Sequence, residues 1–123
     1  SEGKEGLEQM HSLMSHLRKA PPKKIGTASV VCLEDYWERK KSDFQTQMRT
    51  PLLLPRSDVL RFWLKDQTKL VIRPSGTEPK VKIYVEVVEP AQKNLEQGIA
   101  LCDERLKERL GAFQELCSVF LKA

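Results

Sequence analysis

A chain of 123 residues with a formal net charge of +4 is long enough for one domain with a real core and too short for two ordinary ones. Its 40% hydrophobic and 31% charged residues are globular proportions, and no apolar run approaches the ~20 residues of a membrane span. The start, Ser1-Glu2-Gly3-Lys4-Glu5, is too polar for a secretory signal, and the missing initiator Met leads us to expect a piece of a longer protein. Cys32, Cys102 and Cys117 form no CxxC pair, which removes paired zinc spacing and reads as reduced thiols in a cytoplasmic protein.

Leu7, Met10, Leu13, Met14 and Leu17 recur at three- and four-residue steps, the pattern of an amphipathic helix that ends before Pro21-Pro22. We set residues 1–20 apart as an N-terminal helix at the junction with whatever precedes, and take 21–123 as the domain proper. His11 and His16 lie five apart, about 140° around a helix, so they are not a metal pair. The β-branched run 28–33 reads as a strand. Residues 37–57 are irregular, a surface insertion or a short helix, with Leu52, Leu53 and Leu54 expected to tuck into a core edge or against another domain. The basic clusters Arg18-Lys19, Lys23-Lys24 and Arg39-Lys40-Lys41 are interleaved with Glu34, Asp35, Glu38 and Asp43, which favours a solvated face over a nucleic-acid surface.

Residues 59–64 alternate as a second strand with Leu60, Phe62 and Leu64 on one face. Residues 65–68 form a turn, 69–73 a third strand, and 81–86 a fourth, in which Val81, Ile83 and Val85 alternate with Lys82, Tyr84 and Glu86. After Pro90 a long helix carries the stripe Leu95, Ile99, Cys102, Leu106, Leu110, Phe113, Cys117 and Phe120. Strands followed by a helix make an α+β domain, an antiparallel sheet of about four strands with helices on one face.

Between the third and fourth strands lies Arg73-Pro74-Ser75-Gly76-Thr77-Glu78-Pro79-Lys80. Arg73 offers a planar fork of donors suited to two phosphate oxygens, and Ser75 and Thr77 add hydroxyls. Gly76, without a Cβ, is expected to let the backbone turn sharply and bring its N–H close to an anion. The two prolines restrict φ and lower the entropy lost on ordering. Glu78 reads as a brace on backbone N–H groups rather than a general acid or base. Lys80 and Lys82 are placed on opposite faces, so that one of them serves the ligand. An ordinary Ser-Gly-Thr hairpin, its hydroxyls capping backbone groups, is the bland alternative, and Arg73 at the strand end counts against it. A Walker loop is excluded, since there is no GxxxxGK[ST].

This stretch resembles the phosphate-binding loop of the α-D-phosphohexomutases, the phosphoglucomutase and phosphomannomutase family, where R-P-S-G-T-E-P lies in the last of four domains. The strand 58–66 before the loop, the strand 80–86 after it, and 26–36, which closes in Asp35-Tyr36, resemble the family's flanking strands. The resemblance implies a sheet in a TATA-binding-protein-like arrangement. It also implies a cytoplasmic isomerase that moves a phosphoryl group between the 1- and 6-positions of a hexose, or the pentose equivalents, through a phosphoserine and a bisphosphate sugar. Arg73, Ser75, Gly76 and Thr77 match the family's phosphate-contacting positions, with Pro74, Glu78, Pro79 and Lys80 as loop support. The phosphoserine and the aspartates that bind Mg²⁺ belong to earlier domains, so the resemblance implies no metal and no catalytic residue in this chain, and no turnover by it alone. The implied partners are the sugar phosphate and the enzyme's preceding domains, with no nucleic acid and no membrane. The approach 54–60 looks most like the phosphoglucomutase branch. The competing reading is a free-standing phosphate- or nucleic-acid-binding module.

Overall fold

The computed structural model describes residues 2–89 and 94–121. Its elements are α1 (Glu2–Lys19), β1 (Lys24–Ile25), β2 (Ala28–Asp35), β3 (Lys40–Asp43), β4 (Arg49–Pro51), β5 (Leu60–Leu64), β6 (Lys69–Pro74), β7 (Val81–Glu86) and α2 (Leu95–Ser118). The start expected for the last helix, just after Pro90, falls on 90–93, outside the described residues.

α1 stops where Pro21 and Pro22 remove two backbone donors. His16, Arg18 and Lys19 fill its last turn, where positive charge suits the helix dipole. α2 begins at Asn94, whose side chain accepts hydrogen bonds from the backbone N–H groups of Glu96 at 2.9 Å and Gln97 at 3.4 Å.

The strands form one antiparallel sheet in the order β4-β3-β2-β5-β6-β7, with β1 pairing on the start of β2. The architecture is the expected α+β, but the sheet has seven strands where about four were expected. Two of the extra strands lie in the stretch read as irregular. β3 and β4 pair as a hairpin through Lys40 with Pro51, Lys41 with Thr50 and Ser42 with Arg49. Its turn is fixed by Asp43, which accepts from the N–H of Gln45 at 2.9 Å and of Thr46 at 3.0 Å. The hairpin is at the sheet edge and buries neither face fully, so it needs no apolar alternation and shows none. Beyond it Leu53 and Leu54 do not tuck into a core edge: they are 87% and 56% exposed.

One face of the sheet carries the core. Leu60, Phe62 and Leu64 of β5 and Leu70 and Ile72 of β6 meet Leu13, Met14 and Leu17 of α1 and Phe113 and Cys117 of α2. Phe62 and Phe113 touch ring to ring at 5.7 Å between centroids. Burial pushes the Cys117 thiol up to about 12, as expected of a cysteine acting as a small hydrophobe. Polar ties lock the helices to the strands. Arg18 donates from Nε to both oxygens of Asp35 at 3.0 Å and from Nη2 to Asp58 at 2.9 Å, while Arg109 donates to Asp66 at 3.0 Å and Thr27 at 3.3 Å.

The stripe expected along α2 holds only in its second half. Phe113 and Cys117 are buried, whereas Leu95, Ile99 and Leu106 are exposed. Length explains this: a helix of 24 residues runs about 36 Å, and strands of five or six residues span about 20 Å.

Candidate phosphate-binding loop

Register decides what surrounds the loop. Arg73 pairs with Lys82 and Pro74 with Val81, so residues 75–80 form the turn between β6 and β7. Inside it the N–H of Ser75 donates to the carbonyl of Lys80 at 2.7 Å, and the N–H of Lys80 to that of Glu78 at 2.8 Å. The N–H of Thr77 donates to the Ser75 hydroxyl at 3.4 Å. Gly76 to Lys80 are all exposed, with Ser75 half-buried.

The loop rests on α1. A Cβ at Gly6 would sit 2.8 Å from the Cβ of Pro79, so the helix backbone lies directly against the loop's closing proline. Gly76 behaves differently from the sequence expectation. Its φ is not in the left-handed region, and a Cβ there would meet nothing within 4 Å. The fold itself does not require glycine at this position. Glu78 pairs with the Lys80 ammonium at 3.2 Å, and among the described residues no backbone N–H donates to its carboxylate as had been expected. Lys80 and Lys82 are both exposed, and their separation of two residues gives them one face by the strand period, not opposite ones.

The face turned away from the helices carries the charge. Alternation places Arg61, Trp63, Val71, Arg73, Lys82 and Tyr84 there, with Glu34 opposite Arg61, Arg61 opposite Val71, and Val71 opposite Tyr84. Glu34, only 6% exposed, is the hub of this row. It accepts from Arg61 Nε at 2.7 Å and Nη2 at 3.0 Å, from Tyr36 Oη at 3.3 Å, and from the Trp63 indole N–H. Burial works against its ionisation and is the largest single influence. The hydrogen bonds from Arg61 and Trp63 and the charges of Arg61 and Lys41 together outweigh it and hold the carboxyl below its usual value. Arg61 and Lys69 lie over the Trp63 ring at 5.5 and 4.4 Å.

Arg73 is held in another way. Its Nη2 donates to the Tyr84 hydroxyl at 3.3 Å, and its guanidinium carbon stands 5.8 Å from the Tyr84 ring centroid. Among the described residues no carboxylate pairs with it. Sequence reasoning named Arg73 but missed Tyr84. The signal was available: a six-residue connection fixes the register of β6 on β7 and thereby puts Tyr84 on the face of Arg73.

A recess lies between the end of α1 and the β3–β4 hairpin. It holds about 350 Å³ and is lined by residues that include Arg18, Lys19, Asp35, Lys40, Phe44 and Arg49, none of them from the loop. Among the described residues no cluster of three or more His, Cys, Asp or Glu side chains is placed to hold a metal ion. Among them, too, no helix is long and apolar enough to cross a membrane.

Residues 37–98, which contain the whole loop, match the family described as phosphoglucomutase/phosphomannomutase, C-terminal domain. The chain belongs to this family. A phosphoglucomutase of Staphylococcus aureus is 36% identical over 98 residues, covering 80% of this chain and 18% of that protein. Phosphoglucomutases of Staphylococcus haemolyticus and Staphylococcus epidermidis are 36% and 31% identical over 86 residues, in each case 70% of this chain and 16% of the relative. The matched stretch therefore spans less than a fifth of these relatives. No solved structure matches the chain significantly.

Proposed function

We propose that this C-terminal domain grips the non-reacting phosphate of a sugar phosphate in a phosphoglucomutase-type isomerase. One observation carries the reading. Arg73 ends a strand whose sheet fixes its base, and among the described residues its fork has no carboxylate to neutralise it. Beside it stands an exposed turn bearing two hydroxyls. Arg73 takes two phosphate oxygens, and Ser75 and Thr77 add hydroxyl donors. The N–H of Gly76 adds a backbone donor in a position where a side chain would stand between the ligand and the main chain. Pro74, Glu78, Pro79 and Lys80 hold the turn: Pro79 abuts α1 and Lys80 closes the turn on Ser75.

Such a grip serves catalysis at a distance. The binding energy of a phosphate that does not react orients the end that does. In this reading residues 21–123 carry the grip, residues 1–20 lead in from the preceding domain while packing Leu13, Met14 and Leu17 into the same core, and the work is done in the cytoplasm. The phosphoserine that supplies the phosphoryl group and the Mg²⁺ that assists it are contributed by domains outside this chain, and the chain alone is inactive. The 1- and 6-phosphates of a hexose, or the pentose equivalents, are the substrate class. The alternative of a nucleic-acid module receives little from the aromatic residues on the sheet face, because Trp63 is already covered by Arg61 and Lys69.

The test is an NMR titration of the chain with glucose 6-phosphate at fixed ionic strength, for wild type, Arg73→Ala and Arg73→Lys. Wild type should bind in the millimolar range, ~4 kcal/mol, with amide shifts at residues 73–78. Arg73→Ala should lose most of the affinity, and Arg73→Lys should restore it only in part, since an ammonium keeps the charge but not the fork. Shifts confined to residues 39–41 would overturn the assignment.

A further inference from the structure

We propose that Tyr84 is a positioning residue for this phosphate site, taking the place that a carboxylate holds at Arg18, Arg61, Arg105 and Arg109. The proposal rests on the reading of the loop given above. Arg18 is paired to Asp35 and Asp58, Arg61 to Glu34, Arg105 to Asp66 and Glu89, and Arg109 to Asp66 and Glu108. Each of these guanidiniums is ordered, and each is neutralised by the group that orders it. Arg73 is ordered by a neutral group. The Tyr84 hydroxyl accepts one N–H at 3.3 Å, and the ring attracts the cation through its quadrupole at 5.8 Å.

The difference decides what the arginine can still do. A carboxylate uses the same parallel pair of donors that a phosphate needs, and it cancels the charge. A phenol uses one of five N–H donors and cancels nothing. The guanidinium therefore keeps a bidentate edge and its full charge, and part of its rotamer entropy is already lost before ligand arrives. Tyr84 is 49% exposed and lies on the face away from the core, so it contributes little to stability in the place where it stands.

The experiment compares the chain with Tyr84→Phe and Tyr84→Leu in the same glucose 6-phosphate titration, and follows the Arg73 Nε–H signal in the ligand-free state. In wild type that signal should be sharp and displaced by the ring current. Tyr84→Phe should keep the displacement and lose about twofold in affinity. Tyr84→Leu should lose the displacement and about three- to tenfold in affinity, with an unchanged amide spectrum elsewhere. A merely structural tyrosine would leave the affinity of both folded variants alone. Wild-type affinity in a folded Tyr84→Leu overturns the proposal while the phosphate reading stands. A wild type whose residues 73–78 do not respond overturns the phosphate reading itself. If Tyr84→Leu does not fold, Tyr84→Phe decides: unchanged affinity overturns the proposal.

Discussion

Arg61 and Arg73 stand on adjacent strands, on the same face of the same sheet, and they are opposites. Arg61 is closed into a hub: Glu34 takes two of its N–H groups, and Tyr36 and Trp63 flank it. Arg73 is open, with one phenol as its partner and an exposed turn beside it. The same residue type thus serves structure in one place and is left available in the other. What separates the two is whether a buried carboxylate lies in reach. An arginine at a strand end is therefore informative about binding only when its own strand neighbours leave it unneutralised.

The largest effect should come from opening the closed one. Arg61→Met leaves Glu34 buried with only Tyr36 and Trp63 as donors. Breaking such a pair from one side costs ~3 kcal/mol at the low end of the usual range, which suits a partner that is 34% exposed. Arg73→Met should change stability by less than about 0.5 kcal/mol, since among the described residues it strands no carboxylate. Urea midpoints of the two variants measure the contrast. Equal losses would mean that the two arginines play one role.

A smaller effect is expected from pH, and its sign follows from Glu34. A carboxyl held below its ordinary value in the fold stabilises above the unfolded value of about 4.3, and that contribution is lost as pH falls toward the lower folded value. Removing Arg61 takes away the main reason for the depression. The gap in stability between wild type and Arg61→Met should therefore shrink between pH 6 and pH 3. A constant gap would mean that Arg61 stabilises through packing of its stem on Trp63 and not through charge.

Much of this arrangement was legible beforehand, for particular reasons. β5 announces itself because Leu60, Phe62 and Leu64 are all buried and their neighbours are not. The loop was bounded to within one residue because its distinctive chemistry lies between two such strands, though Pro74 turns out to belong to β6. β3 and β4 were not legible, since an edge hairpin of half-exposed lysines has no core face to advertise. The first half of α2 was misread for the converse reason: its leucines follow a helical period, but the sheet is too short to cover them. The hub at Glu34 needed register, because its partners come from positions 36, 61 and 63.

The smallest expected change in stability separates fold from ligand at the open end. Gly76 carries no positive φ, and a Cβ there meets nothing within 4 Å, so the folded chain has room for alanine. Alanine also narrows the unfolded ensemble, and the substitution should leave stability unchanged or raise it by up to ~1 kcal/mol. Binding should move the other way. A phosphate seated on Arg73 and on the backbone of the turn must approach the main chain at residue 76, where the methyl group would stand. Gly76→Ala should therefore weaken glucose 6-phosphate several-fold, on the order of 1 kcal/mol, in a protein that melts no earlier than wild type. Thermal melts and the amide titration on one sample decide it. An alanine variant that binds as wild type does would show that the anion is held by Arg73 and the hydroxyls alone, with no backbone contact at residue 76. A variant that melts early would show that the glycine serves the turn after all.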